Sequence, residues 1–441
     1  KSTDALKGGS FQQQISDYGQ FKETLSWSTG KMKDNSALSF VFSKTDGDGY
    51  VRGTYVNAFS YFLSYSKDWN DAKHKLQFTA IGAPQKHGQR DRYIRPEDVE
   101  NHGIKHNRDL GILDGEELNQ RNNYYHKPQI ALNHYWAINE KSLLATSGYV
   151  SFGKGGGSGP LGSYAPTRDD GLIDWDAAYA WNQEDSTGAS STILRNSVNN
   201  HKWFGILSTL NHDVNDKLSL TAGIDGRYYR GEHFREVRNL LGGQHWFEQY
   251  KYAVDGVSGR GQEKVIDPNS TSTWFVKTPF DNRIAYDNDG INRYIGGFGQ
   301  LEYNADKTNV FLSTSLSNTW YTRVDRHNYV DEDIQTSETV SLPGYTVKGG
   351  VNWNVSDNMN VYVNAGTFSR APFFNFVFVN YQNILSEDVV NEKANSYEIG
   401  WGYKAPKYAI KINAYNTEWR DKSLLSGRIP TADGGSTRAL I

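Results

Sequence analysis

Hydrophobic and polar positions alternate with a period of two along most of this chain. Over 218–225, Leu218, Leu220, Ala222 and Ile224 are interleaved with Ser219, Thr221, Gly223 and Asp225. Over 359–366, Met359, Val361, Val363 and Ala365 are interleaved with Asn360, Tyr362, Asn364 and Gly366. Tyr397, Ile399, Trp401 and Tyr403 alternate with Glu398, Gly400, Gly402 and Lys404. Tyr408, Ile410, Ile412 and Ala414 alternate with Lys407, Ala409, Lys411 and Asn413. Successive side chains of a strand point to opposite faces, so each segment reads as a strand with one apolar and one wet face. About fifteen strands are expected. They lie near 9–17, 20–28, 37–46, 58–67, 74–82, 127–137, 142–152, 200–212, 217–230, 292–304, 308–324, 341–355, 358–369, 394–404 and 407–419. No amphipathic helix of useful length is expected. The wet face collects Asp225, Lys348, Asn352, Asn354, Asn364, Glu398, Lys411 and Asn413.

The connections alternate in length. From the second strand on, short ones (TGKMKDNS, SKDWNDAK, INEK, DVND, NADK, NVSDN, KAPK) carry Asn, Asp, Gly and Lys, the chemistry of tight turns. Long ones lie near 83–126, 153–199, 231–291, 325–340 and 370–393. A soluble sandwich has no reason to place every long loop at one end. An outer-membrane barrel has one, with short periplasmic turns and long extracellular loops. Tyr and Trp also gather at strand ends, as at Tyr61, Tyr65, Tyr135, Trp136, Tyr228, Tyr229, Trp320, Tyr321, Tyr403 and Trp419, which fits two aromatic girdles. The expected fold is all-β: an antiparallel transmembrane β-barrel wall with long extracellular loops, occupying residues 1–441.

Composition narrows the reading. The chain has 441 residues, no Cys, 43 Gly, 28 Tyr and 12 Trp, and a net charge of −3. Disulfides, Cys-bound metals and thiol catalysis are excluded. The balance of charge leaves nucleic acid without a footprint, so none is expected as a partner. No apolar run reaches the ~20 residues of a membrane helix.

The segment YHKPQIALNHYWAINEKSLLATSGYVSFGKGGGSGPLG at 125–162 resembles TonB-dependent outer-membrane receptors of the Bacteroidetes type. So do IGAPQKHGQR at 81–90, DGRYYRGEH at 225–233, TFSRAP at 367–372 and NEKANSYEIGWGYK at 391–404. The resemblance implies a barrel of about 22 strands with a plugged lumen. It also implies energised uptake of an extracellular ligand (siderophore, cobalamin, glycan or peptide) in the bacterial outer membrane. The opening KSTDALKGG resembles the stretch that follows a plug, so a partial barrel lacking plug and last strands is expected. The first and last strands should then be unpaired edges. The implied partners are the TonB complex, through plug and TonB box, and outer-membrane lipids. A surface lipoprotein joins them where the cargo is a glycan or peptide. No cofactor is implied.

Candidate chemistry is sparse. GKGGGSGP, near Lys154–Pro160, lacks the P-loop spacing and reads as a flexible loop tip. Asp46–Gly49 and Asp287–Gly290 lack the calcium-loop spacing and read as turns. His87, His102, His106, His126, His233 and His245 form no tight ligand pair, so no metal site is assigned and an enzyme is not expected. Ligand-binding candidates are aromatic and Arg side chains near strand tops: Arg90, Arg92, Tyr93, Tyr228, Tyr229, Arg230, His245, Trp246, Trp320, Tyr321, Arg323 and Arg370. Aromatic rings give contact area, and Arg gives planar forks for carboxylate or phosphate. Two rivals stand beside import. One is a passive porin or adhesive barrel. The other is a soluble β-rich carbohydrate-binding protein, whose apolar faces would pack into a core.

Overall fold

The computed structural model describes residues 6–248, 264–266, 278–329, 331–378, 382–387, 389–424, 426–427, 429–430 and 436–437. Much of the 231–291 connection and the first five residues of the KSTDALKGG opening lie outside these.

Fifteen strands of eight or more residues make one antiparallel sheet. They are β1 Gly8–Ile15, β2 Phe21–Ser28, β3 Ser36–Asp48, β4 Tyr55–Trp69, β5 His74–Gly82, β6 Gln129–Asn139, β7 Ser142–Gly162 and β8 Thr192–Asp213. After them come β9 Leu218–Asn239, β10 Arg283–Asn304, β11 Thr308–Asp325, β12 Val340–Ser356, β13 Met359–Arg370, β14 Glu392–Lys404 and β15 Ala409–Arg420. Each pairs with the next in chain order. Each matches an expected strand. β1 and β15 are exposed along their whole length, and no ladder joins them among the described residues.

Register carries the alternation from strand to strand. Leu301 pairs with Leu220 and Leu312, Val363 with Val351 and Ile399, and Trp401 with Val361 and Ile412. In the other direction, Ile206 pairs with Gly226 and Gly148, and Leu132 with Gly148 and Phe78. One face is therefore a continuous apolar band. Nothing covers it: Leu316 is 70 % exposed, Ile412 61 % and Ile224 59 %. The opposite face carries the eight polar residues grouped above. Asp225 connects through Gly296 and Ser317 to Gly344, and Glu398 sits opposite Asn364, which faces Gly350.

At the short-turn end of the apolar face, Trp69, His74, His134 and Trp136 stand nearly parallel, with centroids 5.2–5.9 Å apart between neighbours. Near the other edge Trp401 stacks on Tyr403 at 6.3 Å, and Tyr408 lies tilted against Tyr403 at 6.0 Å. These are aromatic belts in the position a membrane interface favours.

Several expectations are corrected at the other end. The strands there run much further than their alternation. Lys154–Pro160 is no loop tip: it lies inside β7, paired with β8 and with a short strand Asn122–His126. Asp287–Gly290 is no turn: it lies inside β10, where Asp289 faces Glu232 and Val324. At Asp46–Gly49 only Gly49 leaves the strand. Among the described residues three helices also occur: α1 Pro96–His102, α2 Trp175–Glu184 and α3 Phe374–Val377. The physical reason is shared. Beyond the apolar band both faces of a strand meet water or protein loops, so nothing forces a period-two pattern, and pairing alone holds the strand.

Proline explains two interruptions. Strand β4 pairs first with β5 and then with Gln85–Gly88, which continues β5 in unbroken register past Pro84. Asn122–His126 likewise leads into β6 across Pro128. Proline cannot donate to a ladder, so each edge opens locally. The Pro84 carbonyl still accepts from Phe59 N–H at 2.9 Å.

Candidate functional site

The polar face holds a cleft of about 620 Å³ between β10 and β14, lined by Gln300, Glu302, Lys348, Asn352, Tyr362 and Glu398 among others. Its centre is Glu398, which accepts from Tyr362 Oη at 2.8 Å and from Asn364 and Asn413 Nδ2 at 3.3 Å. Asn360 donates to Asn352, and Asn352 to Asn354. The bare Gly400 opposite Tyr362 makes this possible: a Cβ there would lie 2.1 Å from the Tyr362 ring. The arrangement is a hydrated, hydrogen-bonding wall.

The long-loop end carries the larger cleft, about 740 Å³, between the tops of β3 and β4 and the connection that follows β5. Lys105 Nζ stands 5.0 Å from the Tyr18 ring centre and 5.3 Å from that of Tyr50, and Arg52 pairs with Glu117 at 2.6 Å. Arg90, Arg92 and Tyr93 belong to this connection. Arg90 donates to the carbonyls of Ile104 and His106. The backbone N–H groups of Asp91 and Arg92 both donate to Asp109, a fully buried carboxylate that also accepts from Gln120 at 2.7 Å. The Tyr93 ring is 90 % exposed. His102 and His106 meet with ring centres 4.8 Å apart, and burial beside His102 pulls His106 below its ordinary pKa. No group of three potential metal ligands occurs among the described residues.

The remaining candidates divide by face. Tyr228 sits at the margin of the apolar band, 6.2 Å from Phe204, and Trp320 opposes Arg293 on the same face. Tyr229 is on the polar face, edge-on to Trp203 at 5.8 Å. Tyr321 is buried, donates to the Pro372 carbonyl at 3.0 Å and packs on Phe374. Trp246 Nε1 donates to Glu248, and His245 lies against Phe247.

The arginines are mostly committed to carboxylates. Arg230 Nε donates to Asp289 at 2.8 Å, and Arg326 bridges Asp289 and Asp287 at 2.7 and 3.0 Å. Arg283 closes the chain on Asp287 at 2.8 Å. Arg323 is held by Asp325 and Asn383, and Arg370 by Glu392. The structure thus gathers Arg230 and Arg323 at the tops of β9–β11. Arg90, Arg92 and Tyr93 sit together in another region, and Arg370 apart from both. Sequence reasoning missed Arg326, Arg283, Asp287 and Asp289, because the DNDG motif reads as a turn when the strand's extension is not foreseen. It also missed Arg121, Arg195 and Arg235, for the same reason at GKGGGSGP.

No family model and no curated protein matches the chain. Solved structures do. The ferric-catecholate import receptor Fiu from E. coli K12 aligns with a TM-score of 0.60 at 12% identity, covering 98% of this chain and 60% of that one. The ferric citrate transporter FecA gives 0.59 at 11%, covering 93% and 50%. The siderophore receptor PiuA from Acinetobacter baumannii gives 0.60 at 10%, covering 98% and 59%. The chain spans half to three-fifths of the length of these structures. They are TonB-dependent outer-membrane receptors, transporters rather than enzymes. Identities this low establish the architecture, and the fold of this chain is that of the β-barrel wall of the TonB-dependent outer-membrane receptors.

Proposed function

We propose that this chain is part of an outer-membrane receptor that imports an extracellular ligand with energy delivered through TonB. The observation that carries the reading is the sheet itself. A register-matched apolar band runs across fifteen strands opposite a hydrogen-bonding face, with the long connections at one end. Lipid accepts such a band, and water or a plug suits the other face. Lipid tolerates no open sheet edge, so the free edges of β1 and β15 call for further strands to close the barrel. Binding falls to the long-loop end, where the larger cleft and the arginine clusters lie. A ferric chelate is the first cargo to test, because Fiu is a ferric-catecholate import receptor and FecA a ferric citrate transporter.

The test is uptake of radiolabelled ferric citrate and a ferric catecholate by cells carrying the full-length protein, with and without TonB. Uptake that requires TonB is expected. TonB-independent flux, together with passage of small sugars in liposome swelling, would instead establish a passive porin.

A further inference from the structure

The glycine run left without a role by the sequence lies on a defined face of β7. Gly153, Gly155, Gly157 and Gly159 occupy alternate positions, so all four point to one side of the sheet. That side is the polar one, since Gly153 continues the row of Tyr149 and Ser151 that faces Gly205 and Trp203. The first two are covered by neighbours, since a Cβ on Gly153 would meet the His201 ring at 2.3 Å and one on Gly155 the Tyr125 Cβ at 2.5 Å, which leaves Gly157 and Gly159 as a short glycine floor.

Arginines from the flanking segments lean over this floor. A Cβ on Gly159 would lie 2.8 Å from Arg121 Nη1 and 2.9 Å from Arg195 Nη2, so any side chain there would displace both guanidinium groups. Arg195 Nη1 donates to Ser197 Oγ at 2.9 Å, and Arg235 Nε reaches the same oxygen at 3.4 Å. Among the described residues neither Arg195 nor Arg235 has a carboxylate partner. Arg121 is 3.4 Å from Asp91 and 3.8 Å from Asp109. The Nε atoms of Arg121 and Arg195 are buried and have no hydrogen-bond partner. Burial, with Arg235 and Arg121 beside it, pulls Arg195 down to about 10, well below an ordinary guanidinium; it stands beyond the apolar band.

Like charges are being held together and partly dried, with donors unused. Elsewhere at this end the chain surrounds its arginines with aspartates, as at Arg326. Here only Arg121 has such neighbours, Asp91 and Asp109, while Arg195 and Arg235 have none among the described residues, and an anion from outside would complete the set. We infer that Arg121, Arg195 and Arg235, over the glycine floor of β7, form a binding site for a ligand bearing several carboxylate or phosphate oxygens. This deepens the proposed import reading by naming the chemistry of the ligand. It does not depend on energised transport. Arg fits because its planar fork meets two oxygens at once. Gly157 fits because the space over it is nearly open, with Asn123 Nδ2 at 3.4 Å from a Cβ placed there, so a flat, charged group can approach the backbone beside the arginines.

The test is calorimetric titration of the detergent-solubilised full-length protein with citrate and, separately, inorganic pyrophosphate. Binding that weakens with added NaCl is expected. Arg195→Ala and Arg235→Ala should each weaken it about tenfold or more, the usual scale for a lost charge-assisted hydrogen bond. Arg195→Lys keeps the charge but loses the fork, and should weaken binding severalfold while preserving the fold. Gly159→Val should abolish binding without changing charge. Arg420→Gln, whose partner is Glu418 far from this face, should leave it unchanged. The titration is repeated in nanodiscs containing lipopolysaccharide. Equal affinity there supports a soluble ligand. Occlusion by the lipid phosphates would assign the site to lipid and overturn the inference, as would no binding of either anion or binding indifferent to Arg195 and Arg235. Loss of TonB-driven uptake with binding intact would count against import alone.

Discussion

Leu220 and Thr221 are adjacent in β9 yet belong to different surroundings. Leu220 pairs with Leu301 on the uncovered apolar face, and Thr221 shares the polar face with Gln300 and Asn211. Leu220→Arg should cost roughly 2–4 kcal/mol in refolding into lipid, the scale for Arg near the midplane of a barrel's lipid face. Thr221→Arg should cost little. Equal costs in the two variants would contradict the membrane orientation. Asp289 is a second test at this scale. It is fully buried between Arg230 and Arg326, so Asp289→Asn leaves both cations short of a charge. Breaking a buried pair in this way typically costs about 3–5 kcal/mol. The expected readout is a lower unfolding midpoint and faster proteolysis at the long-loop end, with insertion into the membrane retained. Both residues lie in β-strands, but only the first was legible. Leu220 sits in a period-two run, whereas Asp289 sits in a motif whose residue types favour turns.

At the scale of elements, the long connections are built structures held by a few buried polar side chains. Helix α2 is the clearest case. Its Asn182, nearly inaccessible, donates to the carbonyls of Thr192, Leu240 and Leu241 and accepts from Ser191 N–H at 2.8 Å. One amide thus fastens the helix to the tops of β8 and β9. Ile173, Trp175 and Ala178 pack beside it on Leu194 and Leu241. Asn182→Ala would orphan several backbone groups, each costing about 1–3 kcal/mol when buried. Limited proteolysis within 163–191 should accelerate strongly, and an unchanged cleavage rate would refute the fastening role. Helix α1 offers a pH test. Asp98 accepts from the Arg95 side chain and from its N–H, which with nearby Arg108 hold its carboxyl at about 2. The pKa is depressed by folding, so the stabilisation is complete above an unfolded value near 4 and disappears as pH falls towards about 2. Amide protection over 95–103, taken relative to intrinsic exchange at each pH, should hold at pH 5 and fall below pH 4. In Asp98→Asn it should already be low at pH 5.

At the scale of the whole molecule the sheet is a meander whose edge strands, β1 and β15, are each paired on one side only among the described residues. Neighbouring strands pair in chain order, which keeps each closure local despite the length of the sheet. The same edges make the chain a poor membrane protein by itself, because unpaired N–H and C=O groups in hydrocarbon each cost several kcal/mol. The 441-residue chain refolded into lipid vesicles should aggregate or stay peripheral. On the proposed import reading, a protein that carries the closing strands should insert and resist proteases across the apolar band. A protected, heat-modifiable barrel formed by this chain alone would mean that β1 and β15 do pair.

The sequence by itself determined which stretches become strands and which of their faces is apolar. Both follow from covalent geometry: a strand must alternate its side chains, and lipid or water then selects each set. It also determined which end carries the short turns, since tight turns demand Asn, Asp and Gly. It could not determine where strands end beyond the apolar band, because there neither face is selected and only the neighbouring strand's hydrogen bonds decide. Hence GKGGGSG became the floor of a strand rather than a loop, and DNDG became a buried clamp. Nor could it decide which arginines are satisfied. Arg230 and Arg370 resemble Arg195 and Arg235 in sequence, yet the first two meet Asp289 and Glu392 on the neighbouring strand. Whether a carboxylate lies opposite depends on strand register, and register over such distances is a property of the assembled sheet.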